Sequence, residues 1–208
     1  MFRDRQEAAE KLARALERYR GRNPLVLAIP RGAVPMAKII ADRLGGEVDV
    51  LLVRKLRAPD QPELAIGAID ENGNIYLHPY AEKLRISPEY LKGEASTQMQ
   101  SLSRRRAEYT PARPPIDPRG RIVIVVDDGI ATGSTMAAAM ESLRERKPAE
   151  LIVATGVAPR DTLRKLQGFA DRVECLATPE PFYAVGQHYQ DFSQVSDEEV
   201  MEILRRND

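Results

Sequence analysis

The chain has 208 residues, of which 43% are hydrophobic, so it is long enough to form one domain with a buried core. Its formal net charge is zero, which argues against binding to nucleic acid or to an acidic membrane surface. The one cysteine, Cys175, excludes an internal disulfide, and no apolar run approaches the roughly 20 residues that cross a bilayer. Because the first residues lack an apolar signal core, we expect a cytoplasmic protein.

The first quarter of the chain alternates helical apolar spacing with short unbroken apolar runs. The pattern predicts, in order, a helix over 7–19, a strand over 25–29, a helix over 36–44 and a strand over 48–56. Residues 30–35, PRGAVP, separate the first strand from the helix that follows it. The second strand would end at Arg54 and Lys55, which places two cations at the mouth of the predicted sheet.

Residues 57–120 break this alternation, and we interpret them as an insertion over one edge of the domain and not as a second core. The patterns here predict a hairpin with strands over 65–70 and 74–77, a polar helix over 88–109 and a stiff proline-rich connector over 111–115. Three consecutive arginines, Arg104, Arg105 and Arg106, lie in the predicted helix. We interpret them as one solvated helix face, not as a ligand site.

The alternating pattern resumes after residue 120. It predicts strands over 121–126, 151–157 and 172–177, with helices over 134–146, 161–169 and 197–205. Continuous apolar strands separated by helices indicate an α/β protein with an open parallel sheet and helices on both faces. We expect a single domain over 1–208, closed by a small C-terminal segment over 178–208.

The segment 125–135, VVDDGIATGST, holds the strongest candidates for chemistry. Ligands of open α/β sheets bind at the carboxyl ends of the strands, where Asp127 and Asp128 would lie. Adjacent carboxylates repel each other unless a cation or hydroxyl groups meet them, as a ribose diol beside Mg²⁺ would. Small and hydroxyl-bearing residues that open a helix suit a phosphate group, and they are Gly129, Ala131, Thr132, Gly133, Ser134 and Thr135.

Simpler explanations account for only part of this segment. A tight turn with Ser134 or Thr135 as a helix N-cap explains the hydroxyl groups but not the two acids. A Walker phosphate loop requires a lysine that is absent here, and the glycine spacing of a dinucleotide fingerprint is absent as well.

The segment resembles the signature of the type I phosphoribosyltransferases, which bind 5-phosphoribosyl-1-pyrophosphate (PRPP). The whole chain is similar to predicted bacterial phosphoribosyltransferases of unassigned substrate, through PRG at 30–32, VRK at 53–55, PELAIGA at 62–68 and a C-terminal Val-Gly…Tyr…Asp-Phe. The resemblance implies Mg²⁺-dependent transfer of ribose 5-phosphate from PRPP to a nitrogen acceptor, with release of pyrophosphate. Asp127 and Asp128 would hold the ribose diol and, through it and water, the metal, while 129–135 would bind the 5-phosphate.

The resemblance also implies a pyrophosphate site. Arg31 and Gly32 fall where these enzymes bind pyrophosphate, in a loop that often contains a strained or cis peptide. Arg54 would contact the same group, and Lys55 would assist catalysis. An ordinary turn with a solvated Arg31, and a solvated sheet mouth at Arg54 and Lys55, remain the alternatives.

Four of the eleven aromatic residues of the chain lie between 182 and 192. The resemblance implies a hood in which Tyr183 and Phe182 cover the acceptor, and it puts Asp191 one residue from a carboxylate that assists metal binding. A hydrophobic plug under the last helix is the alternative. Enzymes for 6-oxopurines carry an aspartate where Ala131 stands, which disfavours hypoxanthine and guanine as acceptors. His188 is more typical of a surface residue than of a catalyst.

The resemblance further implies a lid within 57–120, with Pro59, Glu63 and Gly67 as lid or hinge positions. A second function remains open, that of a non-catalytic regulator that senses PRPP or a nucleotide with the same fold. A ribose-phosphate hydrolase is a third. Members of the resembling family are commonly homodimers, and nothing in the sequence marks an interface.

Overall fold

The computed structural model of the chain describes residues 1–78, 80–111 and 115–205, and for residues 62 and 63 it describes the backbone alone. Its helices are α1 (Arg5–Ala15), α2 (Ala33–Leu44), α3 (Pro88–Tyr109), α4 (Ser134–Glu145), α5 (Arg160–Leu166) and α6 (Asp197–Arg205). Its strands are β1 (Leu25–Ala28), β2 (Glu47–Val50), β3 (Val53–Ala58), β4 (Gln61–Asp70), β5 (Ile75–Leu77), β6 (Ile122–Gly129), β7 (Glu150–Val157) and β8 (Arg172–Ala177).

Five strands form a parallel sheet in the order β2-β1-β6-β7-β8, which confirms the predicted α/β architecture. Successive side chains of a strand point to opposite faces, so each central strand contributes to two cores. On β6, Ile124 packs in the core that contains α1 and α2, whereas Val123 and Val125 pack in the core that contains α4. Helices on both faces therefore leave the edge at the carboxyl ends of the strands as the open side of the sheet.

The predicted second strand, 48–56, is wrong in extent. β2 ends at Val50, the chain crosses through Leu51 and Leu52, and β3 begins at Val53 in a separate antiparallel sheet, β3-β4-β5. An apolar run records burial but not the identity of the pairing strand. Leu51 and Leu52 are buried in different cores, one on each side of the sheet, so the run stays apolar across the change of sheet.

The predicted hairpin is confirmed by β4 and β5, which pair antiparallel. Asp70, which is 1% exposed, organises the turn, because its Oδ1 accepts hydrogen bonds from the backbone N–H groups of Asn72 at 2.8 Å and Asn74 at 3.0 Å. The hydroxyl group of Ser142 on α4 donates to the same carboxylate, which ties the hairpin to the main domain.

Helix α3 has the predicted bounds, and Ser87 caps its start by accepting a hydrogen bond from Tyr90 N at 3.1 Å. The predicted solvated face is wrong for Arg106, whose side chain is only 13% exposed. Its guanidinium group donates to both carboxylate oxygens of Glu71, at 2.6 Å each, and to Asp49 Oδ1 at 2.9 Å. Sequence spacing could not reveal this pairing, because both acids lie on other elements.

The C-terminal segment returns to the start of the chain. Phe2 and Tyr189 form an isolated parallel bridge, and their rings lie 5.4 Å apart. Of the predicted connector and hood, residues 112–114 and 206–208 lie outside the described residues, as does the side chain of Glu63. Among the helices that the structure describes, none combines the length and the apolar character needed to cross a membrane.

Candidate active site at the carboxyl edge of the sheet

The two signature acids end β6 at the open edge of the parallel sheet. Burial raises the pKa of Asp127 well above its ordinary value, and the neighbouring charge of Asp128 raises it further. The strand carries the pair to this position because residues 122–126 are all buried and fix its direction. Two adjacent carboxyl groups in such surroundings favour a ligand that brings positive charge or hydroxyl donors.

Asp128 already has one cationic partner, which the sequence did not predict. Arg5, in the first turn of α1, donates from Nε to Asp128 Oδ2 at 2.8 Å, and both side chains are 14% exposed. The guanidinium group of Arg5 lies 3.9 Å above the ring of Phe192 and donates to Ser193 O at 2.6 Å. Stacking on Phe192 and hydrogen bonds to Asp128 and Ser193 hold the Arg5 side chain in place, so it orients the carboxylate of Asp128.

Tyr189 fixes the backbone at the same place. Its hydroxyl group donates to the carbonyl oxygen of Asp128 at 2.6 Å, and the residue is 5% exposed. Burial, and then the negative charge of Asp128, raises the pKa of Tyr189, so the hydroxyl group keeps the proton that it donates. The C-terminal segment therefore holds the backbone of the acid pair in place through Tyr189.

The loop after β6, which the sequence predicts to be a phosphate site, leads directly into α4. Gly133 adopts a φ of 76°, a left-handed conformation that glycine takes without steric cost, and α4 begins at the next residue. The first hydrogen bond into the helix runs from Ala137 N to Gly133 O, so the N–H groups of the preceding turn have no partner within the helix. The hydroxyl groups of Thr132 and Ser134 lie 3.3 Å apart beside them.

The loop after β1 faces the acid pair. The peptide bond between Pro30 and Arg31 is cis, as the resemblance led us to expect. A Cβ atom at Gly32 would lie 2.3 Å from Asp128 Oδ2 and 3.0 Å from Arg5 Nη2, so a larger residue there would displace the carboxylate of Asp128. The guanidinium group of Arg31 lies 3.5 Å from Asp197 at the start of α6 and remains 40% exposed.

Arg54 and Lys55 are not at the end of a parallel strand, because they belong to β3 of the small sheet. Both nevertheless line a cavity of about 380 Å³ that also reaches Pro30 of the cis-peptide loop and Thr135 of the predicted phosphate loop. The small sheet thus brings its cations to the same edge by a route that the sequence did not indicate. Arg57 and Arg105 line the cavity too, and neither was predicted as a site residue.

The two aromatic residues of the predicted hood differ in their surroundings. Tyr183 is 77% exposed, whereas Phe182 packs against His188 with ring centroids 5.3 Å apart. Phe182 also lines a second pocket, of about 460 Å³, together with Arg160 and Thr178 at the ends of β7 and β8. The prediction that His188 is a surface residue is wrong for its Nε2 atom, which is buried without a hydrogen-bond partner in the described structure.

Asp191 accepts hydrogen bonds from the backbone and the side chain of Ser193, at 2.9 and 2.7 Å, and these bonds lower its pKa. In the described part of the chain, no three His, Cys, Asp or Glu side chains come together as a metal site.

The parallel sheet and the helix-opening loop after β6 make this an α/β protein of the type I phosphoribosyltransferase fold. The chain belongs to the phosphoribosyl transferase family, since the model of the family's phosphoribosyl transferase domain matches residues 3–190. That match covers the acid pair, both loops and residues 178–190 of the predicted hood.

Individual relatives agree with the family. Proteins from two strains of Mycobacterium tuberculosis, whose names assign them provisionally to the phosphoribosyl transferases, are each 41% identical to this chain over 207 residues. The matches cover 99% of this chain but 47% of those proteins, so the chain spans about half the length of the curated relatives that it matches. A crystal structure of a Thermus thermophilus protein is 43% identical, with a TM-score of 0.89, and the alignment covers 99% of this chain and 98% of that one.

Proposed function

We propose that this chain transfers ribose 5-phosphate from PRPP to a nitrogen acceptor and releases pyrophosphate. The carrying observation is the convergence of three features at one edge of the sheet, which are the acid pair, the helix-opening loop and the cis-peptide loop. Each suits one part of PRPP, in the order diol, 5-phosphate and pyrophosphate. Membership of the phosphoribosyl transferase family supports the same conclusion.

In this proposal, the backbone N–H groups of 131–135 and the hydroxyl groups of Thr132, Ser134 and Thr135 bind the 5-phosphate. Asp127 and Asp128 accept hydrogen bonds from the ribose hydroxyl groups. Their negative charges also stabilise the positive charge that develops on the ring as the bond to pyrophosphate breaks.

Arg31, Gly32, Arg54 and Lys55 then stabilise the leaving pyrophosphate. The C1–O bond breaks with its electron pair on pyrophosphate, the lone pair of the acceptor nitrogen forms the new C1–N bond, and the surplus proton of that nitrogen passes to solvent. No protein nucleophile is required, so catalysis rests on positioning and electrostatics.

The acid pair also fits Mg²⁺, because burial and then the charge of Asp128 raise the pKa of Asp127, and a divalent cation would favour the ionised form of both acids. Asp127 and Asp128 would hold the ion through the ribose and water, with the remaining ligands coming from substrate phosphate oxygens. When bound, the ion supplies positive charge that neutralises part of the charge on the pyrophosphate.

The acceptor would bind on the hood side of the edge. Phe182 and Tyr183 are the candidate contacts, and the pocket lined by Phe182 offers room beside the ends of β7 and β8. Ala131 lacks the carboxylate that the resemblance associates with 6-oxopurine acceptors, so we expect hypoxanthine and guanine to be poor substrates.

Calorimetry with PRPP and Mg²⁺, followed by a screen of bases and amines for pyrophosphate release, tests the proposal. We expect Asp128→Asn to lower turnover by on the order of 100-fold, because it removes charge next to the reacting ring. Asp117→Asn is the matched control, since that side chain is 67% exposed, lies 3.6 Å from Arg146 and accepts a hydrogen bond from Arg119 N at 3.1 Å.

Turnover that is unchanged in Asp128→Asn would contradict the assignment. PRPP binding without pyrophosphate release for any acceptor would favour the regulatory function instead. Pyrophosphate release that needs no acceptor would favour a hydrolase.

A further inference from the structure

Three consecutive arginines of α3 occupy three different environments. Arg104 is exposed, Arg105 lines the cavity of about 380 Å³, and Arg106, with a side chain that is 13% exposed, pairs with Glu71 and Asp49. The helical turn rotates each residue by about 100°, so neighbours along the chain point in different directions. The environment of Arg105 is the one that the proposed function does not explain.

Of the described residues that line the cavity, four are cations and none is an acid. Lys55, Arg54 and Arg57 come from β3, and Arg105 comes from α3 across the gap. No ion pair joins any of the four to an acid among the side chains that the structure describes, which exclude those of residues 62, 63, 79, 112–114 and 206–208. Burial, and then the positive charges of Arg105 and Arg57, lowers the pKa of Arg54, as expected for cations that crowd one another.

The anchoring of α3 keeps Arg105 at this cavity. Its neighbour Arg106 donates to Glu71 and Asp49, and also to the carbonyl oxygen of Val50 at 3.0 Å, so the helix is tied to the ends of β2 and β4. At the C-terminal end of the helix, the hydroxyl group of Tyr109 donates to Asp197 at 2.5 Å. A cation on a fixed helix binds an anion with little loss of conformational entropy.

The cavity lies beside the proposed PRPP site and not apart from it. Its wall includes Pro30 of the cis-peptide loop and Thr135 of the helix-opening loop. A ligand whose single phosphate lies at the start of α4 would therefore reach the cations with its other end. A diphosphate suits them, because it carries several charged oxygens and needs several donors.

We infer that Arg105, together with Arg57, completes the binding site for the diphosphate group of the ligand, and that α3 thereby selects PRPP over ribose 5-phosphate. The inference rests on the proposed function, and it assigns a binding role to a helix that the sequence marked only as polar. In this proposal, Arg105 contacts the diphosphate, and Arg106 positions Arg105 by anchoring α3.

The test compares three ligands on matched variants. Calorimetry measures the binding of Mg²⁺-PRPP, Mg²⁺-pyrophosphate and ribose 5-phosphate to the unmodified chain, to Arg105→Ala and to Arg104→Ala. We expect Arg105→Ala to weaken PRPP and pyrophosphate about tenfold or more, because one charge-assisted contact is lost, and to leave ribose 5-phosphate within about twofold. Arg104→Ala, which removes the same charge from the adjacent position, should leave all three within about twofold.

Two further variants guard against a loss of folding. Arg57→Ala removes a cavity cation from an exposed position on β3 and should give the same pattern with the three ligands. Arg105→Lys keeps the charge but loses the forked donor, so pyrophosphate affinity should fall between those of the unmodified chain and Arg105→Ala. Thermal unfolding of each variant measures whether the fold is intact.

The outcomes separate the two proposals. Suppose that the unmodified chain binds PRPP, and that Arg105→Ala binds both PRPP and pyrophosphate as tightly as the unmodified chain does. The inference is then overturned and the proposed function stands. If the unmodified chain does not bind PRPP, the proposed function is overturned together with the selection of PRPP. An equal loss for all three ligands would also overturn the inference, because it would mean that Arg105 does not act on the diphosphate alone.

Discussion

Two clusters of partly buried charge, one around Arg106 and one at the end of β6, differ in how they are balanced. Around Arg106, one cation meets Glu71 and Asp49, and its hydrogen bonds are all between 2.6 and 3.3 Å. At the end of β6, two acids stand side by side, and Arg5 balances only Asp128 directly. The first cluster pairs its charges, whereas the second keeps an acid with a strongly raised pKa, and perturbed pKa values of this kind are common at active sites.

The largest expected effect tests the balanced cluster. Arg106→Ala leaves Asp49 and Glu71 without their buried cation, so we expect the free energy of unfolding to fall by about 3–5 kcal/mol. Chemical denaturation measures it, with Arg104→Ala as the control, which should stay within about 0.5 kcal/mol. Equal effects for the two variants would show that the buried cluster does not stabilise the fold.

Asp127→Asn tests the unbalanced cluster, and we expect it to raise the free energy of unfolding, whereas Arg106→Ala should lower it. The pKa of Asp127 is higher in the folded chain than in the unfolded chain, so the ionised carboxyl group destabilises the native state. The destabilisation is absent below the unfolded pKa near 3.8, grows as pH rises towards the folded pKa and is constant above it.

We therefore expect Asp127→Asn to raise the free energy of unfolding at pH 8 and to change it little at pH 3. Denaturation curves at both pH values measure the difference, and catalytic activity should be lost at the same time. A variant that is less stable than the unmodified chain at pH 8 would contradict the contrast between the clusters.

A smaller effect concerns the one cation of the unbalanced cluster. Arg5→Ala removes the partner of Asp128, and we expect a loss of about 1.5–3 kcal/mol of stability, as for hydrogen bonds to charged groups. Because Asp128 also loses its orientation, kcat/KM should fall about tenfold. Arg3→Ala, at a side chain that is 64% exposed, is the control.

If Arg5→Ala left kcat/KM unchanged while stability fell, Arg5 would support the fold but not the placement of Asp128. Addition of Mg²⁺ and PRPP should recover more stability in Arg5→Ala than in the control, since the ligand supplies the missing positive charge.

The sequence predicted most of the parallel sheet because buried strands carry continuous apolar runs, as in β1, β6 and β7. It predicted the acid pair and its loop because both lie within one short segment. It missed Arg5, which is 123 positions from Asp128, and it gave the wrong environment for Arg106, because pairing between distant elements leaves no local pattern. One signal was available: Asp49, an acid inside an apolar strand, indicates a buried cationic partner somewhere in the chain.

The sequence also did not predict that the chain leaves the parallel sheet after β2 and starts a second sheet at β3. Leu51 and Leu52 continue the apolar run, and only backbone pairing distinguishes β2 from β3. Arg57 and Arg105 were missed for a related reason, since a cavity formed between a strand and a helix depends on how the two pack.

The donors at the start of α4 are main-chain N–H groups, and these persist whatever side chain evolution places there, provided that the backbone keeps its course. The cations around the neighbouring cavity are side chains, each encoded by a single codon. In the proposed complex, main-chain groups would therefore bind one end of the ligand, and side chains that a mutation can replace would bind the other. Point mutations on β3 and α3 can therefore change which ligand such a protein prefers, while the main-chain groups at the start of α4 continue to bind the sugar phosphate.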